Sequence, residues 1–262
     1  MEARELLRQI AEKTIAPEEF LKRLQEISNG SELSLKTYSP NKMSMYRTRS
    51  VENGKRVSSA QELSYPPAHA CEMQRGNVEG EQVFYASSRV PGTLAESRAE
   101  KGEHVILSKW SNIRELRVRQ ILTDPEVGST AEIYYHLFTD RDKSIYRYSS
   151  LTAHWLRELD PHIGLLYPSL LDDEKDDNLA LGKVATDESA GLLHASLYEI
   201  TEVAPAFRFK VKELDFAVCQ NGKLQWKGRP REWPTPGERL RAVFNGWGYD
   251  CYDQNGKLVE PI

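Results

Sequence analysis

The chain reads as an α+β protein, a mixed β core with short helices preceded by a helical extension. Three observations predict this. The first thirty residues carry apolar side chains at helical spacing. From Met45 the texture changes to short strand-like runs separated by loops. The last third alternates apolar and polar residues and is punctuated by turn signals.

Leu6, Leu7 and Ile10 fall on one face of a first helix. Pro17 opens a second helix, with Glu18 and Glu19 in its first turn, where acids favour the positive end of the helix dipole. Phe20, Leu21, Leu24 and Ile27 recur at helical spacing, and Asn29-Gly30 supplies the stop. Residues 31–44 are polar and irregular, so residues 1–44 are taken as a helical extension with a linker, and 45–262 as the main domain. Within it, Val83–Ala86 and His104–Leu107 are short strand candidates, and Glu115–Ile121 alternates apolar and basic residues. Thr93–Lys101 reads as one helix closed by Gly102, and residues 149–159 as another, with Leu151, Trp155 and Leu159 on one stripe. Phe207, Phe209 and Val211 alternate with basic residues. Leu214–Cys219 and Leu224–Trp226 flank Asn221-Gly222, a strong hairpin signal. A second Asn-Gly at 255 and 256 predicts another tight turn, and Pro230, Pro234 and Pro236 mark a loop.

With 35 basic and 39 acidic side chains the net charge is −4, which argues against a nucleic-acid footprint. No apolar run is long enough for a membrane span. The N-terminus is charged and amphipathic, unlike a signal peptide, so a cytoplasmic location is expected; export by a dedicated machine would leave no trace. Cys71, Cys219 and Cys251 form no zinc pattern and read as reduced thiols. The six histidines have no metal-ligand spacing and HExxH is absent, so no metal is expected. Neither GxGxxG, a P-loop nor GxSxG is present.

The informative signal is an ordered series of short motifs. Met45-Tyr46-Arg47-Thr48 places Arg47 on a strand, and Gln74-Arg75-Gly76-Asn77 follows. Next come the strand containing Tyr85 and the helix carrying Leu94-Ala95-Glu96. Gly164–Ser169, ending Tyr-Pro-Ser, and Asn178–Leu181 come much later. In this order they resemble the RES domain, named for an arginine, a glutamate and a serine, over residues 45 to about 180. The resemblance implies an ADP-ribosyltransferase-like fold and NAD as substrate. It also implies cleavage of the nicotinamide–ribose bond by hydrolysis or phosphorolysis, or transfer of ADP-ribose to a protein. Many members are toxins held by an antitoxin or immunity partner.

Carried over by position, Arg47 and Arg75 hold phosphate or ribose, Tyr85 or Tyr46 stacks on nicotinamide, and Glu96 stabilises developing ribosyl cation charge. Ser169 and Asn178 supply small polar contacts. Each residue also has a plain reading. Arg47 reads as a surface charge beside Arg49, Tyr85 as core, and Glu96 as one charge on a solvated helix face. Ser169 and Asn178 read as turn residues. A binding module without turnover, or an interaction protein using the N-terminal helices, are the non-enzymatic alternatives.

Overall fold

Two amphipathic helices, α1 (Glu2–Ala11) and α2 (Pro17–Ile27), open the chain as the spacing predicts. Pro17 occupies the first turn of α2, where its missing N–H removes no helix bond. Gly30 follows at φ +78°, and a Cβ there would lie 2.8 Å from Leu156 Cδ2, so both conformation and space call for glycine. The computed structural model describes residues 2–30, 32–169, 177–204, 208–230, 241–245, 248–252 and 258–259.

Ten strands with described side chains follow. They are β1 (Ser34–Tyr38), β2 (Ser44–Val51), β3 (Val83–Ser87), β4 (His104–Asn112), β5 (Leu116–Gln120), β6 (Ile163–Pro168), β7 (Asp177–Gly182), β8 (Ala190–Ala204), β9 (Arg208–Gln220) and β10 (Lys223–Trp226). The backbone adds β11 (Arg241–Asn245), β12 (Gly248–Tyr252) and β13 (Leu258–Val259). All join one sheet in the order β1-β5-β6-β7-β3-β2-β4-β8-β9-β11-β12-β13, with β10 paired to β9. β5 and β6 run parallel, and the other strand pairs antiparallel.

The sheet is nearly divided in two. β2 and β4 pair from Ser44 to Val51, but β2 and β3 meet only at Tyr46 and Ser87. Strand alternation then sorts side chains into three cores. Phe84, Leu166, Leu179 and Leu181 from one half share a central core with Met45, Ile106, Trp110 and Leu197 from the other. The two halves therefore turn their inner faces toward each other. On the outer face of the first half, Val83, Leu165, Tyr167 and Ala180 pack under the N-terminal helices and two later ones, α4 (Thr130–Thr139) and α5 (Tyr146–Leu159). On the outer face of the second, Val105, Leu107, Tyr198 and Ile200 meet Val90, Leu94 and Ala95 of α3 (Val90–Ser97). A last helix, α6 (Lys183–Ser189), follows β7.

Several elements differ from the sequence reading, each for a physical reason. Residues 34–38, read as irregular linker, form edge strand β1, whose exposed side chains give no apolar alternation; backbone pairing to β5 defines it. Helix α3 starts at Val90, three residues before Thr93, with Pro91 in its first turn. It ends at Ser97 because Arg98 adopts left-handed φ +52°, well before Gly102. Helix α5 begins at Tyr146, ahead of position 149. α4 has no clear signal in the sequence: its aromatic and β-branched residues (Ile133, Tyr134, Tyr135, Phe138) mask the helix, although Ser129 accepts from Glu132 N as an N-cap. The hairpin at Asn221-Gly222 is as predicted, with both residues at positive φ. Phe207, the turn at 255 and 256, Pro234, Pro236 and residues 170–176 lie outside the described residues.

Candidate active site

The narrow join between the half-sheets is where the candidate residues collect. The turn from β3 into α3 is tied to the start of β7, since Ser88 N donates to Asp177 O at 2.9 Å and Asp177 N donates to Ser88 Oγ at 3.1 Å. Thr93 Oγ1 accepts from Thr48 N at 2.9 Å, which fixes α3 on β2. Glu96 thereby reaches the ends of β6 and β7. Its Oε1 accepts from Asn178 Nδ2 at 2.9 Å and from Ser169 Oγ at 3.3 Å. Ser169 is fully buried and Asn178 nearly so, while Glu96 is exposed. A carboxylate accepting two fixed donors is oriented, yet keeps its second oxygen available to the open side.

Arg47 enters from β2. Its Nη1 donates to Tyr85 O at 2.8 Å, and its guanidinium lies 5.7 Å from the centre of the Phe84 ring. Burial, followed by the charge of Arg49, pushes its pKa down to about 10, so it stays cationic at neutral pH. Its Nε is buried and has no partner within the protein, and neither has Thr48 Oγ1. A buried guanidinium N–H without an acceptor is costly, and because this Nε is closed to solvent any ligand oxygen would have to meet the other N–H groups of the guanidinium.

Tyr85 is half-buried, with its hydroxyl held at both ends. It donates to Asn77 Oδ1 at 2.7 Å and accepts from Gly76 N at 3.1 Å. Burial pushes the phenol well above its ordinary range. The ring is therefore fixed in place rather than free to swing. A Cβ at Gly76 would lie 2.9 Å from the Tyr85 hydroxyl, so the turn also needs glycine for close approach.

Two of the seven candidates are engaged elsewhere. Arg75 donates to Phe138 O, to Asp140 O at 2.7 Å and to Tyr146 Oη at 3.5 Å, closing the C-terminal end of α4. A cation there satisfies carbonyls that the helix leaves unpaired. Tyr46 lies on the face of β2 opposite Met45, packing on the outer core beside Lys109, whose Nζ is 5.8 Å from the ring centre. Strand alternation separates it from Arg47.

One residue escaped the sequence reading. Tyr167, paired with Asn178 across β6 and β7, is buried between the two groups of charge. Burial first, then the Glu96 carboxylate, raises its pKa, while Arg75 acts in the opposite direction. The Tyr-Pro-Ser stretch carries the signal, since Tyr167 lies two residues before Ser169.

A seam that presents a buried arginine, a fixed tyrosine and an oriented carboxylate suits an anionic ligand with a centre of developing positive charge. The RES domain family matches residues 45–201, more than half of the chain, and the protein belongs to this family, which is generally linked to NAD-processing enzymes. Comparison with curated proteins returned no match. Among the described residues no helix is long and apolar enough to cross a membrane.

Proposed function

We propose that this protein binds NAD at the seam and cleaves its nicotinamide–ribose bond. The observation that carries the reading is Glu96, whose carboxylate accepts from both Asn178 and Ser169. Arg47 holds the pyrophosphate, an assignment supported by its guanidinium staying cationic at neutral pH. Tyr85 and Tyr167 line the nicotinamide side, and Arg75 acts from behind by fixing the end of α4. In the chemical step the bond from ribose C1′ to nicotinamide nitrogen breaks and its electron pair leaves with neutral nicotinamide. Glu96 stabilises the resulting cationic carbon, as carboxylates do in glycoside hydrolysis. Water or phosphate then bonds to C1′ and gives its proton to Glu96 or solvent. Such an enzyme depletes NAD in the cytoplasm, as a toxin or effector with an antitoxin or immunity partner.

Incubating the purified chain with NAD, with and without phosphate, and following free nicotinamide tests the reading. Glu96→Gln keeps the shape and both donors' partner but is expected to lower release by about 10²-fold or more. No release by the wild type, or equal release by Glu96→Gln, would sink it. ADP-ribose as product marks hydrolysis, its 1″-phosphate marks phosphorolysis, and label on an added protein marks transfer.

A further inference from the structure

Behind Tyr85 lies a buried ion pair that the reaction itself does not use. Arg157, on α5, donates through Nε to Glu81 Oε1 at 2.8 Å and through Nη2 to Glu81 Oε2 at 2.6 Å. Their side chains are 8% and 18% exposed, so this is a fork-shaped pair withdrawn from water. Such a pair is poor evidence for stability, because desolvation offsets most of the attraction and apolar residues of like volume often do as well. The pair also lacks full satisfaction, since Arg157 Nη1 is buried without a partner. Its placement asks for another explanation.

Glu81 Oε2 also accepts from Val78 N at 3.1 Å, closing the turn that contains Arg75, Gly76 and Asn77. Asn77 Nδ2 braces the same turn on Glu72 O at 2.9 Å and Val78 O at 2.7 Å. The turn in turn holds the Tyr85 hydroxyl through Gly76 and Asn77. Backbone space is reserved for the arginine: a Cβ at Gly182, the last residue of β7, would lie 2.8 Å from Arg157 Cδ. Its positive charge acts on both the Tyr85 and the Tyr167 phenols.

We infer that Glu81 and Arg157 are positioning residues, an ion-paired brace that locks the 74–78 turn on α5 and so fixes Tyr85 for substrate. The inference rests on the NAD-cleaving reading of the same site. Neither residue touches the reacting atoms. A reactant displaced by about 1 Å can lose as much as 10²-fold in rate, so loosening the brace acts without removing a catalytic group.

Three variants test this in the full chain: Glu81→Gln, Arg157→Lys and the double Glu81→Gln/Arg157→Met. Glu81→Gln and Arg157→Lys are expected to lower kcat/KM for nicotinamide release about tenfold or more, Arg157→Lys the less, while remaining folded by circular dichroism. The double variant removes the buried charges together and is expected to regain thermal stability but not kcat/KM. A merely structural pair would instead recover both. Amide hydrogen exchange supplies the readout that needs no turnover: Gly76 and Val78 are expected to exchange faster in Glu81→Gln, with β3 and β7 unchanged. Wild-type kcat/KM in the folded single variants, or unchanged exchange at Gly76 and Val78, overturns the brace. Absence of release by the wild type defeats the NAD reading instead, and the exchange result then decides the brace alone.

Discussion

The half-sheet β1-β5-β6-β7-β3 and the half-sheet β2-β4-β8-β9 share one central core, yet their outer faces are covered differently. The first is covered by α1, α2, α4 and α5, with Phe20, Leu24, Tyr134 and Phe138 fully buried against it. The second carries α3, and on β8 Leu193 and Val203 remain exposed. Glu96 arrives on the helix of the second half, whereas both donors that orient it come from the first. Arg47 makes the reverse crossing, from β2 to the β3 carbonyl of Tyr85. The difference teaches that neither half owns the site. Its geometry depends on a join that has a single strand pair, so side chains must hold it closed.

Breaking that join is expected to have the largest effect on stability. Phe84 meets Trp110 edge-on at 5.0 Å between ring centres and also faces the Arg47 guanidinium. Phe84→Ala is expected to cost about 3–5 kcal/mol in urea unfolding. One cooperative transition with an unchanged slope would show that the halves fold as a unit; two separated transitions would show that they do not.

A pH series sharpens the comparison on the helix-clad side. Burial works to raise the Glu81 carboxyl, but the Arg157 hydrogen bonds and charge, helped by His154 Nδ1 at 3.1 Å and the Val78 N–H, prevail and hold it below its ordinary value. A carboxyl depressed in the folded state contributes stability that is present above its unfolded pKa, about 4.3. That contribution is lost as pH falls through the lower folded value. Acid is therefore expected to loosen the 74–78 turn, and melting followed from pH 6 to pH 3 should show a shallower decline in the double Glu81→Gln/Arg157→Met variant.

The smallest expected effect lies far from the seam. Asn221 and Gly222 close the β9–β10 hairpin at φ +50° and +74°. Gly222→Ala forces a Cβ into the left-handed region and is expected to cost about 1 kcal/mol. Nicotinamide release at a temperature well below the transition should be unchanged. A loss of release there would show that the second half-sheet communicates with the site beyond the seam.

Much of this architecture is written locally. Helical spacing placed α1 and α2, and a Pro and a Gly bounded them. A short apolar run marks β3, apolar alternation marks β9, and Asn-Gly marks the hairpin between β9 and β10. The order Arg47, Tyr85, Glu96, Ser169 was also legible, because the motifs survive as short strings. β1 was not, since an exposed edge strand has no apolar face to impose a period. α4 was hidden by aromatic and β-branched residues that are buried against the rest of the first half-sheet's core.

The sequence by itself thus determined the helix–strand texture, the hairpin and which residue types make up the candidate site. The tertiary structure decided their assignments. Alternation says that Tyr46 and Arg47 face opposite ways, but only the packed sheet says which way is the seam. Arg75 resembles a ligand-binding arginine until the carbonyls of Phe138 and Asp140, more than sixty residues later, claim its guanidinium. Glu96 looks like one charge among several on a helix until Ser169 and Asn178 reach it from two other strands. The physical reason is range. Backbone propensity and side-chain period act over a few residues, whereas a hydrogen bond between distant segments exists only once the layers have packed.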